Sequence, residues 1–248
     1  MSGADYISKI LFDGNVDENS YLNNLPVIKY LKKEKEISFS SPVTFFVGEN
    51  GTGKSTLLEA IAVAFGFNAE GGSKNFTFST NDTHSLLCEH IEIAKRRFAK
   101  DGFFLRAESL YNVATNIDEM DKAPSFDPFV IESYGGVSLH NQSHGESFMS
   151  IIKNRFFGNG IYILDEPEAA LSLNRLLTLM SEINELVKND SQFIIATHSP
   201  ILLAFPNAQI LEFNEDGIKE VSYTETEHYK ITKSFLDNPE KMLYYLFD

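Results

Sequence analysis

Val43-Thr44-Phe45-Phe46-Val47-Gly48-Glu49-Asn50-Gly51-Thr52-Gly53-Lys54-Ser55-Thr56-Leu57-Leu58-Glu59-Ala60-Ile61-Ala62-Val63-Ala64-Phe65 is the stretch that decides the fold. Residues 48–55 fit the phosphate-binding pattern G-x-x-x-x-G-K-[ST]. The five residues before the loop are apolar and β-branched, which predicts a buried strand. The nine from Leu57 to Phe65 are rich in helix formers, which predicts a helix. A loop between such flanks can wrap a phosphate with backbone N–H groups. Gly48, Gly51 and Gly53 remove side chains that would block the approach. The helix N-terminus then favours the anion. Lys54 places a compact positive charge on the β/γ-phosphates, and the Ser55 hydroxyl is offered to Mg²⁺. The competing reading, a glycine-rich turn with a surface lysine, ignores both flanks.

The chain has 248 residues, 43% of them hydrophobic, enough for one large domain or two small ones. A net charge of −14 argues against a broad nucleic-acid-coating surface. Two local basic clusters remain, Lys29/Lys32/Lys33/Lys35 and Lys95/Arg96/Arg97/Lys100, each of which also reads as a solvated face. A single cysteine, Cys88, excludes an internal disulfide or a cysteine zinc site within one chain and suits a reducing compartment. No apolar run reaches ~18 residues, and the N-terminus lacks a basic region followed by an apolar core. The expectation is a soluble cytoplasmic protein with no direct membrane insertion.

Upstream of the loop, Ile7–Phe12 and Ile37–Ser40 read as strands of a small antiparallel β layer, punctuated by turns at 13–15 and 23–26. Tyr21 and Tyr30 are either adenine-stacking aromatics or core residues. Residues 66–81 form a long polar, glycine-rich loop, with Lys74 as a possible second phosphate contact or a solvated lysine. Residues 84–100 read as a helix, 103–105 as a strand, 112–120 as a helix, and 122–128 as irregular and proline-limited. Beyond them come a helix from Phe148 to Phe157, a buried strand Ile161–Leu164, a helix Leu171–Lys188, a buried strand Phe193–Ala196, and a hairpin around 214–217. Buried strands alternating with helices indicate an α/β fold with a mostly parallel sheet flanked by helices. One domain spans 1–248: a nucleotide-binding core at 1–81 and 156–248, and a mostly helical insertion at 82–155.

Two further strand ends carry chemistry. Ile161-Tyr162-Ile163-Leu164 delivers Asp165 and Glu166. Asp165 suits a water-mediated reach to Mg²⁺, and Glu166 suits a general base that polarises an attacking water. His198, in Ala196-Thr197-His198-Ser199-Pro200, follows the next buried strand, where it can donate to a γ-phosphate or orient the water.

Together the phosphate loop, Leu164-Asp165-Glu166-Pro167 and Thr197-His198 resemble the ATP-binding-cassette (ABC) ATPases of the P-loop class. The resemblance implies ATP and Mg²⁺ as ligands. It also implies a signature motif, matched by Gln142-Ser143-His144-Gly145-Glu146, with Ser143 22 residues before Asp165. The family uses this motif to touch the γ-phosphate bound by a second subunit, so Ser143 and Gly145 become trans nucleotide contacts and a homodimer on ATP binding is expected. The motif is degenerate, with Gln142, His144 and Glu146 replacing Leu, Gly and Gln, and it also reads as an ordinary Ser-capped helix.

The family's Mg²⁺-sensing glutamine is missing, since no glutamine lies between Thr56 and Asn141. Glu108 is the candidate replacement, with a surface glutamate as the rival reading. Glu168-Ala169-Ala170-Leu171-Ser172 stands where transporters end in Ala-Leu-Asp. These departures resemble the soluble RecF-, SMC- and OLD-like AAA-family ATPases of DNA repair and phage defence, here as a small stand-alone ATPase. The resemblance implies an ATP-driven switch acting with a separate protein effector or on nucleic acid. The alternatives are the ATP-binding subunit of a membrane transporter and a nucleotide-binding regulator with negligible turnover.

Overall fold

The computed structural model describes residues 6–74, 85–122 and 128–247. The chain runs through β1 (Lys9–Phe12), α1 (Pro26–Glu34), β2 (Glu36–Ser38), β3 (Val43–Gly48) and α2 (Lys54–Phe65). It continues through β4 (Ile91–Ala94), β5 (Asp101–Arg106), α3 (Leu110–Met120), α4 (His144–Arg155) and β6 (Gly160–Asp165). The remainder is α5 (Leu173–Lys188), β7 (Gln192–Ala196), β8 (Gln209–Asn214), β9 (Gly217–Glu220), α6 (Glu227–Asp237) and α7 (Pro239–Phe247).

Two sheets result. The smaller is antiparallel, in the order β2-β1-β4. The larger has the order β5-β6-β7-β3-β8-β9 and is parallel except for the β8–β9 hairpin. β3 is buried at every position, as its continuous apolar run requires of a strand covered on both faces. Its side chains alternate between two cores. Phe46 joins Leu57, Leu58, Ile61 and the antiparallel sheet on one side. Phe45 and Val47 join α3, α4 and α5 through Val113, Phe148 and Leu179 on the other. α2 lies between the two sheets, which is why Leu57, Leu58, Ala60, Ile61 and Ala62 are all buried rather than forming a single apolar stripe. The buried Gln192 ties the sheets together: its amide accepts from Ile7 N at 2.8 Å and donates to Ile7 O at 2.9 Å.

The α/β class, the antiparallel N-terminal layer and the mostly parallel sheet are as expected from the sequence, but three segments differ. Residues 85–100 of the expected helix are not helical: a 3₁₀ turn at Leu86–His90 leads into β4, which pairs Ile91 with Phe12 and Ile93 with Ile10. Ile91 and Ile93 alternate with exposed Glu92, a period of two that the helical reading overlooked. α1 was hidden by Pro26, read as a turn although proline is favoured at the first helical position it occupies here. The C-terminal helices α6 and α7 were not anticipated, and neither contains a buried residue. Part of the polar loop after α2 is ordered against the sheet edge, where Gly72 exchanges hydrogen bonds with Phe104 at 2.7 and 3.0 Å. The rest of that loop (75–81), residue 84 of the expected helix, and 123–127 of the irregular stretch lie outside the described residues.

Candidate nucleotide site

The C-terminal ends of the parallel strands converge. Register places Arg106 beside Asp165, Asp165 beside Ala196, and Ala196 beside Phe46. The chain leaves these strands in step: Glu166 N donates to Ala196 O at 3.0 Å, and Thr197 N to Phe46 O at 3.1 Å. The loop Gly48–Thr56, the Asp165–Glu166 pair and His198 therefore share one sheet edge, at the crevice where open α/β sheets bind ligands.

Glycine is demanded in the loop by packing as well as by phosphate. At Gly48, with φ 134°, a Cβ would sit 2.0 Å from Phe213 O. At Gly53, with φ 96°, it would sit 2.4 Å from Val27 Cγ1 on α1. Gly53 caps α2. Among the described residues nothing accepts from the N–H groups of Gly51, Thr52 and Gly53. Unpaired N–H donors beside a helix N-terminus and a buried lysine fit an anion. Lys54 is only 5% exposed and folds back so that Nζ donates to Gly48 O at 2.6 Å and Glu49 O at 2.7 Å. Burial lowers its pKa, opposed by the charges of Glu166, Asp165 and Glu49. Thr52 Oγ1 donates to Glu49 O at 2.8 Å and braces the turn. Glu49 and Asn50 are exposed on the loop's outer face, and Thr56 is in the first turn of α2.

Ser55 Oγ donates to Asp165 Oδ1 at 3.3 Å, which brings together the hydroxyl and carboxylate that the sequence assigned to Mg²⁺. Burial pushes Asp165 up to about 6, against the lowering effect of Arg106. Arg106 is a site residue that sequence reasoning missed. It pairs with Glu59 of α2 at 2.8 Å and with Glu108 at 2.6 Å, and its Nε approaches Asp165 Oδ2 to 3.4 Å as an ion pair without hydrogen-bond alignment. Glu108, largely exposed and held by Arg106, lines the same cleft of about 390 Å³ as Ser55, Asp165, Glu166 and His144. An oxygen-rich donor set of one hydroxyl and two carboxylates suits a hard divalent cation.

Glu166 sits at φ 48° before Pro167, a left-handed conformation rare for a non-glycine residue. His198 Nε2 lies 3.8 Å from Glu166 Oε1. Glu168 fixes the histidine loop by accepting from Thr197 Oγ1 at 2.8 Å and from the His198 N–H. Burial raises the Glu168 pKa, opposed by those hydrogen bonds. On its other edge His198 Nδ1 is 3.0 Å from His228 Nε2 of α6. Glu168 was read from the sequence only as part of the stretch Glu168–Ser172, with no site role, and His228 was not singled out at all; both matter through where the fold brings them.

Ser143 and Gly145 do not themselves line this cleft, although His144 between them does. Ser143 caps α4, with Glu146 accepting from its N–H at 3.0 Å and its Oγ at 2.6 Å. Gly145 is buried under Arg175 and Ala170 O, which a Cβ would meet at 2.4 and 2.8 Å. Of the two tyrosines weighed for adenine, Tyr30 packs against Gly217 of the hairpin, whereas Tyr21 is 61% exposed on the turn before α1.

A family model described as AAA domain matches residues 22–241. The tungstate uptake system ATP-binding protein TupC of Campylobacter jejuni subsp. jejuni serotype O:2 is 24% identical over 229 residues, covering 82% of this chain and 67% of the relative. Among solved structures, an SMC head bound to the C-winged helix domain of ScpA is similar with a TM-score of 0.51 and 15% identity, covering 87% of this chain and 97% of that one. An ABC transporter in an inward-facing conformation gives a TM-score of 0.50 and 14% identity, covering 92% and 88%. At such identities the two structures speak for the fold alone. Among the described residues, no helix is long and apolar enough to cross a membrane.

Proposed function

The chain belongs to the AAA domain family, and from that premise we propose that it is an ABC-type ATPase that hydrolyses Mg-ATP between two copies of itself. The observation that carries this reading is the convergence of buried Lys54, Ser55 beside Asp165, and His198 facing Glu166 on one strand-end crevice. Backbone N–H groups of Glu49, Asn50, Gly51, Thr52 and Gly53 wrap the phosphates, with Gly48 and Thr56 at the ends of the loop. Lys54 releases the carbonyls of Gly48 and Glu49 and turns to the β/γ-phosphates. Ser55 would hold Mg²⁺ directly and Asp165 through water, with Glu108 available once it leaves Arg106; the ion would supply neutralisation of charge on the phosphate oxygens. Glu166 takes the proton of the attacking water, and His198 donates to the γ-phosphate.

Ser143 and Gly145 of a second copy close the open side of the phosphate. Residues 1–81 and 156–248 act as the nucleotide-binding core, and 82–155 as the insertion that ends in that trans contact. The dimer is an ATP-dependent switch for a protein effector or nucleic acid, in the manner of RecF-, SMC- and OLD-like ATPases. A second reading, the ATP-binding subunit of a membrane transporter, is favoured by the similarity to the tungstate uptake system ATP-binding protein. Two experiments test the proposal. Mg²⁺-dependent ATP hydrolysis should fall about 100-fold in His198→Ala, with binding preserved, as for loss of a transition-state donor; unchanged turnover contradicts the assignment. Recovery of a membrane protein with an ATP-trapped Glu166→Gln form favours the transporter reading, and recovery of a soluble effector or nucleic acid favours the switch.

A further inference from the structure

α6 brings a second imidazole to the nucleotide site, and its placement is fixed by the chain before it. Ser222 and Glu225 form a capping box, and Thr226 caps α6, its fully buried hydroxyl donating to Tyr223 O at 2.8 Å and accepting from Tyr229 N at 3.3 Å. Two residues past that cap, His228 is set between the outer face of the phosphate loop and the histidine loop, sharing a cleft with Glu49, Asn50 and His198. Its Nε2 is 3.0 Å from His198 Nδ1, while its Nδ1 is shut off from solvent with no hydrogen-bond partner among the described residues.

The surroundings of the two rings select a proton arrangement. A contact between two neutral imidazoles needs one donor and one acceptor. His198 Nε2 faces the Glu166 carboxylate, which can only accept, so a proton is favoured on that nitrogen and Nδ1 is left as the acceptor. The proton of His228 therefore belongs on Nε2, from which it donates to His198 Nδ1. Burial and Lys54 disfavour protonation of both rings, and His198 disfavours it at His228; together these outweigh Glu166 at His198 and Glu227 and Glu212 at His228, hold both rings below the ordinary histidine value and leave the pair neutral near pH 7.

We propose that His228 is a positioning residue that locks His198 in the Nε2–H tautomer, aiming its donor at the place where the γ-phosphate would lie. The second imidazole does for His198 what an outer hydrogen-bond partner does for a metal-bound histidine: it fixes ring orientation and tautomer. Its catalytic meaning rests on the role given to His198 above; the tautomer itself does not. Because His228 belongs to α6, the docking of the C-terminal helices and the readiness of His198 become one event.

The test uses the full chain with ¹⁵N-labelled histidine, the His198 signals being assigned by their loss in His198→Gln. Nitrogen shifts and ring couplings, read where both rings are neutral, should show His198 protonated on Nε2 and bare on Nδ1. His228→Leu should leave His198 in a mixture of tautomers and lower kcat about tenfold with the KM for ATP within about twofold. His228→Gln, whose amide N–H can still donate, should restore the single tautomer and most of kcat. A parent His198 protonated on Nδ1, or an unchanged tautomer in His228→Leu, overturns the proposal. The parent measurement decides the matter even if a variant fails to fold. A parent with no ATP turnover would sink the ATPase reading while the nitrogen shifts still decide the tautomer.

Discussion

The loop Gly48–Thr56 and the turn Gln142–Glu146 both carry glycine-containing motifs, yet different forces hold them. The first hangs from β3, a strand paired on both sides, and is pressed by Val27 and Phe213. Its lysine is buried and its serine already touches Asp165. The second is a helix start on the surface, held by its own capping box and by Arg175, which approaches Glu146 to 3.3 Å. There the Glu146 carboxylate accepts from the Ser143 N–H and hydroxyl, the donors that the proposed trans contact assigns to a phosphate. One motif is built by the sheet, and the other is shaped by local hydrogen bonds and left facing outward. A site with one such half exposed is a site that a second molecule can complete.

The largest expected effect falls on the built half. Arg106 neutralises Glu59 and Asp165 with its side chain only 15% exposed, so Arg106→Ala strands acids in a poorly solvated place. A loss of about 3–5 kcal/mol is expected, on the scale of a broken buried pair, measurable by urea unfolding at neutral pH. Wild-type stability in Arg106→Ala would mean that the acids find water. Next comes Lys54→Ala, which should weaken Mg-ATP binding about 100-fold, or ~2.7 kcal/mol. The variant should stay folded, because the lysine's partners in this structure are two backbone carbonyls of its own loop. Retained affinity by calorimetry would sink the phosphate-loop assignment.

A smaller effect concerns Asp101, at the far end of the sheet from the crevice. Its carboxylate accepts from Arg155 at 2.7 Å, Tyr162 OH at 2.7 Å and Phe157 N at 3.1 Å. Burial pushes its pKa up, but the Arg155 guanidinium and the hydrogen bonds outweigh burial and hold it below the ordinary carboxylate value. A depressed folded pKa adds stability that is present above the unfolded value, about 3.9, and is lost as pH falls through the folded one. Asp101→Asn should cost about 1–3 kcal/mol near neutrality, and the gap to the parent should narrow in acid below that value. A gap that stays constant down the acid limb contradicts this. The smallest effect on the isolated chain belongs to the outward half: Ser143→Arg should leave ATP affinity within about threefold, and a larger loss would place Ser143 in the same chain's site.

The expected fold was legible where the chain signals locally. β3, β6 and β7 each centre on a short, mostly apolar run, and α2 and α5 follow loops with strong punctuation. β4 was misread because Leu86, Leu87, Ile91, Ile93 and Ala94 suit a helix as readily as a turn and a strand; what decides is pairing with β1, which sequence spacing does not encode. The site divides the same way. Lys54, Ser55, Asp165, Glu166 and His198 belong to motifs whose residues are contiguous. Arg106 acquires its place only through the register of β5 against β6, and Glu168 only through the approach of Thr197. His228 depends on two capped turns and a helix that buries no residue, a contact no window of sequence contains.

If nucleotide joins the built half of one copy to the outward half of another, as proposed, ATP and the dimer must favour each other by linkage. Glu166→Gln keeps the shape of the site and the Asp165 and Ser55 ligands while removing the base. Sedimentation of this variant should give a monomer without nucleotide and a dimer with Mg-ATP, and adding Ser143→Arg should return it to monomer with ATP still bound. A Glu166→Gln protein that binds Mg-ATP but keeps one oligomeric state with and without it would contradict the claim.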